Sequence, residues 1–473
     1  MQVSEKSCLL SRTKFDNNRA GCENLYNMAS SEATFRPSKR NTRETLKRLL
    51  TCDFNFHGEK SSHSTHAFHS FPAKFPPQLP AFFIENLTEP GDVILDPMAG
   101  SGTTLVEAMG RHRYAIGADI DPLAVELCRV KTSYLGDLYF LARLIDKVTA
   151  EAENFVESGR AECALNAFFD TKTREFVNYW FLMDTQRELI ALLKSIEAVV
   201  SQASSKPRDA IKNFMLLCLS SIIIKKSGGV SLARDLAHSR PHRDLNKRIP
   251  GAIASFRERA RKNLALFSGT KNLSKYVKIF LADAKNLNGL VENNSADLIV
   301  TSPPYSNAID YMRTNKFSLV WLGYSISELS DLRSRYLGSE KIGAFKDHSL
   351  PASVYEIAHR VGKKDKQKKD MLIKYHSEMK VAIKEMYRVL KPDCAAIIVV
   401  GSSVIRDIDT QTQKCMAEIA SQPDIGFDLV GIKVRTLDRN RRMMPWQLSE
   451  NKNSQIEKRM GEEFIIFLRK PWK

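Results

Sequence analysis

Apolar residues in this chain fall into short continuous runs separated by stretches of helical period. Val93 to Leu95, Tyr114 to Ala118, Val277 to Leu281, Asp297 to Val300 and Ala395 to Val400 are such runs. They are too short for helices and rich in β-branched or aromatic residues, which predicts buried strands. Phe427 to Val434 and Glu463 to Leu468 read as a final pair of strands. Thr104 to Met109 has a helical pattern. In His376 to Leu390, Met379, Ile383, Met386, Tyr387 and Leu390 share one helical face, and Lys391-Pro392-Asp393 is expected to end that helix. Alternating strands and helices predict a doubly wound, mostly parallel α/β sheet. Ligands in such sheets sit beyond the carboxyl ends of the strands. Asp96, Gly100, Asp119, Asp283 and Ser302 all fall at or just past such ends.

The chemistry-bearing residues cluster at those ends. After Val93 to Leu95 come Asp96-Pro97-Met98-Ala99-Gly100-Ser101-Gly102-Thr103-Thr104. Gly100 and Gly102 allow a tight turn and close approach of backbone to a ligand. No Gly-Lys-Ser/Thr ending follows, which argues against a nucleotide-phosphate loop. Asp119 at the tip of the second strand suits ribose hydroxyls. Asp121 is placed to cap the next helix, with Pro122 at its first position. The fourth run ends in Thr301-Ser302-Pro303-Pro304-Tyr305. Two successive prolines supply no backbone N–H, so the chain must leave the sheet there in a stiff turn. A hydroxyl before the turn and an aromatic ring after it suit a flat ring held by its exocyclic amino group. Ser302 and neighbouring carbonyls would accept the amino protons, and Tyr305 would stack on the ring face.

The Ser302–Tyr305 turn resembles the catalytic motif of the DNA amino-methyltransferases, and the glycine turn resembles their S-adenosyl-L-methionine loop. The resemblance is specific over residues 63–130 and 275–330 and looser over 376–470. It implies a Rossmann-like methyltransferase sheet with an antiparallel last strand. The Ser form of the motif is the one that family mostly uses for cytosine N4. The resemblance makes Ser302, Pro303, Pro304 and Tyr305 catalytic. It makes Asp96, Pro97, Ala99, Gly100, Gly102, Thr103 and Asp119 cofactor-binding, with Asp283 taking the cofactor's adenine amino group. Phe75 belongs to the segment Thr65 to Leu79, which in the family covers the methionine end of the cofactor. Met98 stands where most members have Phe. The implied substrate is double-stranded DNA with its target base flipped out. An adenine-N6 enzyme would share the scaffold but usually has Asp in place of Ser302. The same fold would also serve an RNA amino-methyltransferase or a catalytically idle DNA-binding protein. With no nuclease signature, a restriction endonuclease partner would be a separate chain.

Composition and length add organisation. The chain has 473 residues and a net charge of +17, which favours a polyanionic partner. Its eight cysteines contain no Cys-x-x-Cys pair, so they read as reduced packing residues of a cytoplasmic protein, nucleoid-associated if prokaryotic. His57, His63, His66 and His69 have no Cys or carboxylate at ligand spacing, so no metal is expected. No apolar run approaches the ~20 residues that span a bilayer. The expected domains are a polar extension at 1–62, a cofactor-binding part of the core at 63–134, an insert at 135–272 and a catalytic part at 273–473. The second and third strands lie about 150 residues apart, where one helix would suffice. The insert reads as mostly helical, as at Arg174 to Ala198 and Lys206 to Lys225. Between Ser205 and Lys262 it carries fourteen Lys or Arg against four Asp or Glu. It is the candidate target-recognition domain, with Arg234, Arg240, Arg243 and Arg248 as DNA contacts; a helical lid or dimerisation element would carry the same pattern. Arg435, Arg439, Arg441 and Arg442, read as a loop before the last strand, are candidate DNA-backbone contacts. The charge run Gly362 to Asp370 reads as a solvated loop.

Overall fold

The structure, a computed structural model, describes residues 41–59, 61–71, 74–203, 207–225, 229–234, 241–269, 272–306, 311–339, 348–401, 403–437 and 461–472. Seven strands form its central sheet: β1 (Val93–Asp96), β2 (Tyr114–Asp119), β3 (Val277–Leu281), β4 (Ala296–Thr301), β5 (Leu390–Gly401), β6 (Asp428–Thr436) and β7 (Glu462–Arg469). Their order across the sheet is β6-β7-β5-β4-β1-β2-β3. Strands β1 to β5 pair in parallel, and β7 runs antiparallel to both β5 and β6. The chain winds outward from β1 to β3, returns to β4 beside β1, and winds the other way. The carboxyl ends of β1 and β4 therefore flank a topological switch point, where such sheets open a crevice.

Helices cover both faces. In chain order they are α1 (Thr42–Leu49), α2 (Gln78–Leu87), α3 (Thr103–Gly110), α4 (Pro122–Lys131), α5 (Leu138–Glu157), α6 (Arg160–Phe168), α7 (Thr171–Trp180) and α8 (Met183–Gln202). They continue as α9 (Arg208–Ile223), α10 (Ala252–Ala265), α11 (Tyr311–Leu319), α12 (Ile326–Arg335), α13 (Ala352–Gly362), α14 (Lys366–Val389) and α15 (Thr412–Ala420). Alternate strand residues go to opposite faces, as the two-residue pleat requires. Val300, Ile397, Val399 and Phe467 pack with α1, α2 and α3, and Ile299, Ile398, Val400 and Leu468 pack with α13, α14 and α15. Residues 42–54, expected in a polar extension, contribute Leu46, Leu49 and Phe54 to the first of these cores.

The described part of the insert is mostly helical, from α5 to α10, with a short antiparallel pairing of Ala233–Arg234 with His242–Arg243, and its core is shared with neighbouring elements. Leu189, Phe214 and Phe256 belong to the same buried cluster as Leu123 and Leu127 of α4 and Phe317 and Trp321 beyond the Ser302–Tyr305 turn. The expected single helix from Arg174 to Ala198 breaks at Phe181 and Leu182, both extended. Phe181 leaves the helical path to bury its ring against Trp321, 5.4 Å away. The charge run at 362–370 is mostly helix: Asp365 caps α14 by accepting from Lys368 N at 3.1 Å. Lys391-Pro392-Asp393 lies inside β5 instead of ahead of it. Asp393 sits at φ +57° and donates its N–H to Lys470 O, so the strand absorbs the proline as an irregularity.

Candidate active site

A crevice with about 1200 Å³ of empty space lies at the switch point. Its floor is the glycine loop. Asp96 ends β1 and is buried; its carboxylate accepts from Thr301 Oγ1 at 2.7 Å and from Met98 N at 3.2 Å. The Thr301 bond ties the ends of β1 and β4 together. Gly100 and Gly102 adopt φ of +50° and +74°, a region that disfavours any side chain. A Cβ on Gly102 would also meet Cys128 Sγ at 2.9 Å. The buried Lys131 ammonium supports the loop from below by donating to Ser101 O.

Asp119 ends β2 and joins two loops, accepting from Gly100 N at 2.8 Å and Asp121 N at 2.9 Å. Asp121 caps α4 through Leu123 N at 2.8 Å and accepts from Asn315 Nδ2 at 2.6 Å. All three carboxyls line the crevice. Burial pushes Asp96 up to about 6. Burial first, and then the charge of Asp121, push Asp119 up to about 7. Burial also raises Asp121. Such a wall favours a cationic ligand, which would relieve the cost of ionising these groups. Carboxylates facing a cleft whose backbone is cut down to glycine fit a positively charged nucleoside such as S-adenosyl-L-methionine.

The Ser302–Tyr305 turn forms another wall. Ser302, Pro304 and Tyr305 line the crevice, and Pro303 is buried behind them. Tyr375 of α14 donates its hydroxyl to Pro304 O at 2.7 Å, which fixes the turn. The Tyr305 ring packs on Gly401, where a Cβ would stand only 2.3 Å from Tyr305 Cε2. Its hydroxyl donates to Glu463 Oε1 at 2.8 Å. Burial holds this phenol well above the ordinary tyrosine range.

Of the cofactor residues expected from sequence, Asp96, Pro97, Ala99, Gly100, Thr103, Asp119, Asp283 and Phe75 line the same crevice; Gly102 acts through its backbone at the start of α3. Asp283 Oδ1 accepts from Lys285 N at 3.0 Å, and its Oδ2 lies 3.5 Å from Lys285 Nζ. The lining also includes two rings not singled out by name, one of them in the segment Thr65 to Leu79 expected to cover the cofactor, and a segment that the sequence did not mark. Phe71 and Tyr311 stack face to face, 5.7 Å apart, over the glycine loop. Arg333, Arg335 and Tyr336 to Ser339, at the end of α12 and just past it, close another side. No local motif marks that segment.

The candidate DNA contacts among the described residues lie outside the crevice lining. Arg234 is exposed and paired with Asp244, Arg243 is exposed with its guanidinium 4.3 Å from the Tyr179 ring centre, and Arg248 is exposed. Arg257 and Arg261 of the same basic stretch pair with Glu153 and Asp146. Arg240, Arg439, Arg441 and Arg442 lie outside the described residues. Arg435 is not a loop contact: it sits in β6, buried, and pairs with Glu463 at 2.7 Å. The fold supplies the carboxylate that spacing did not show near the histidines, since Glu107 Oε1 lies 3.0 Å from His63 Nε2 and 2.6 Å from His66 Nε2. Arg111 holds the other oxygen of Glu107. Burial pulls His66 down to about 4, so it is neutral near pH 7.

Residues 11–129 match a family model described as DNA methylase (N6/N4 methyltransferase). The Type II methyltransferase M.MvaI of Kocuria varians is 23% identical over 382 residues, covering 75% of this chain and 80% of its own length. The Type II methyltransferase M.BsoBI of Geobacillus stearothermophilus is 25% identical over 306 residues, 56% of each chain. Among solved structures, a SAM-dependent methyltransferase of Methanosarcina mazei aligns at 11% identity with a TM-score of 0.28, covering 83% of this chain and 98% of that one. The chain thus resembles the DNA amino-methyltransferases.

Proposed function

We propose that this protein transfers a methyl group to the exocyclic N4 of cytosine in a specific sequence of double-stranded DNA. S-adenosyl-L-methionine is the cofactor that the resemblance implies. The observation that carries the proposal is one crevice lined by the glycine loop, Asp119 and the Ser302–Tyr305 turn. When bound, the cofactor supplies an electrophilic methyl group on a positively charged sulfur. The protein's own part is mainly placement. Ser302 Oγ and the Pro303 carbonyl would accept the amino protons of the base, drawing the nitrogen lone pair out of conjugation. Tyr305 would give the base a stacking surface once it has left the duplex. Correct alignment of this kind is worth ~7–11 kcal/mol of barrier. The three carboxylates Asp96, Asp119 and Asp121 would hold the cationic cofactor, with Asp119 on the ribose and Asp283 on the adenine amino group.

The choice of cytosine over adenine rests on Ser302 standing where the adenine enzymes usually have Asp. The insert is proposed as the target-recognition region, with Arg243 on Tyr179 as a backbone-contacting pair, and Arg234 and Arg248 beside it. A cognate endonuclease, if this is one half of a restriction–modification system, would be a separate chain. Nucleoside mass spectrometry of DNA and RNA from a methylase-deficient host expressing the chain tests the reading, with Ser302→Ala as control. N4-methylcytosine in DNA, at least ~100-fold lower in the control, is expected. N6-methyladenine would overturn the base assignment, and a methylated RNA base would overturn the substrate class.

A further inference from the structure

The last two strands hold more than the sheet edge together. Arg435 of β6 pairs across the ladder with Glu463 of β7, and Glu463 pairs across the next ladder with Gly401 of β5. These three residues form one row at the carboxyl end of β5, directly against the catalytic turn. Each touches the next step of a chain that ends at Tyr305. Gly401 seats the ring, because any side chain there would occupy the space of Tyr305 Cε2. Glu463 Oε1 takes the Tyr305 hydroxyl at 2.8 Å. Glu463 Oε2 takes Arg435 Nε at 2.8 Å, and the other Arg435 nitrogen in reach lies 2.7 Å from it. Arg435 in turn donates to Phe54 O at 3.2 Å, which anchors the row to the segment after α1.

We propose that Glu463 is a positioning residue for the methyl transfer, fixing the plane of the Tyr305 ring through its hydroxyl while Arg435 fixes Glu463. This rests on the methyltransferase reading of the Ser302–Tyr305 turn and extends it to the opposite end of the chain. An aromatic ring that is to receive a flipped base gains from having its tilt set beforehand, since each degree of freedom left open must be frozen on binding. Packing on Gly401 limits the ring at Cε2, Cδ2 and Cζ. The hydroxyl bond to a carboxylate removes the remaining slide and tilt, and a charge-assisted bond is the strong kind for the purpose. The Arg435 side chain is 1% exposed and that of Glu463 14% exposed, so the anchor is shielded from competing water. The same logic gives a tyrosine an advantage over a phenylalanine at this position, since its hydroxyl has Glu463 as an anchor.

Removing Glu463 alone would strand a buried guanidinium and risk unfolding. The test therefore uses the full chain with the double variant Arg435→Met/Glu463→Leu, which removes both charges together, and separately Tyr305→Phe. Methyl transfer to genomic DNA from a methylase-deficient host is followed with labelled cofactor, alongside cofactor affinity. The fluorine NMR signal of Tyr305, assigned by its loss in Tyr305→Phe, is read in 3-fluorotyrosine-labelled protein. The expected result is a tenfold or greater fall in kcat for each variant, unchanged cofactor Kd, and a shifted or doubled Tyr305 signal in the double variant. Adding Tyr305→Phe to the double variant should cost little more, because both changes break the same link. A Tyr305 signal that does not move, or a kcat within twofold of wild type, overturns the positioning role while the methyltransferase reading stands. A wild-type protein that transfers no methyl group to DNA overturns that reading and this inference with it.

Discussion

Lowering the pH from about 8 to about 5 is expected to weaken cofactor binding by ~100-fold through Asp119 alone. Burial and the neighbouring Asp121 hold this carboxyl at about 7 in the cofactor-free protein. At pH 5 only ~1 molecule in 100 then carries it ionised, against ~9 in 10 at pH 8. A cationic ligand binds the ionised form, so the apparent Kd rises by the inverse of that fraction, equivalent to ~2.7 kcal/mol. Asp96, held at about 6, would add up to another ~tenfold at pH 5 if it also must ionise. Isothermal titration calorimetry in buffers of different ionisation enthalpy measures both the affinity and the protons released, which should approach one per cofactor near pH 6. Asp119→Asn should bind more weakly at pH 8 and lose most of the pH slope. The folding equilibrium responds with the opposite sign. A carboxyl raised from 3.8 to about 7 contributes stability that is fully present below 3.8 and lost as the pH rises through 7. The cofactor-free protein should therefore melt higher at pH 6 than at pH 8, as far as Asp119 decides it. A Kd flat within twofold from pH 5 to 8, or a slope unchanged in Asp119→Asn, would refute the electrostatic account.

Two further outcomes can be read from the structure. Gly102→Ala forces a side chain into φ +74° and against Cys128 Sγ, so it should lower stability by ~1–3 kcal/mol, seen as a reduced midpoint in chemical denaturation. Tyr179→Ala combined with Arg243→Ala should weaken DNA binding and flatten its salt dependence by ~1 in the log–log slope, leaving cofactor affinity unchanged; unaltered DNA binding would remove this face of the insert from the interface.

The features legible in sequence are those whose cause is local. Two prolines must end β4 wherever the rest of the chain goes, and glycine at positions 100 and 102 answers to backbone angles observed there. Apolar runs marked β1, β4 and the later part of β5, where burial on both faces leaves little room for polar residues. What escaped depends on partners remote in sequence. The break at Phe181 is driven by Trp321, and nothing in the helical pattern of 174–198 records it. Arg435 looked like one of a group of loop cations, yet Glu463 draws it inside the sheet. The segment Arg333 to Ser339 reaches the crevice only because α12 packs back over the site. The Glu107 carboxylate beside His63 and His66 arrives from a helix more than forty residues away, where ligand spacing along the chain is uninformative.

The continuity of the insert's core with α4 and with the residues past the Ser302–Tyr305 turn bears on how such a protein can change or be re-engineered. A recognition unit joined by a polar seam can be exchanged like a cartridge. Here any exchange would cut through Trp321, which touches both Phe169 and Phe181 of the insert, and through the bond from His69 to Ser220. A transplant of 135–272 alone would leave these apolar faces without partners on both donor and recipient. On the recognition role proposed for the insert, new sequence preferences would arise by substitution on its outer surface, or by recombination that carries the insert and residues 311–329 together.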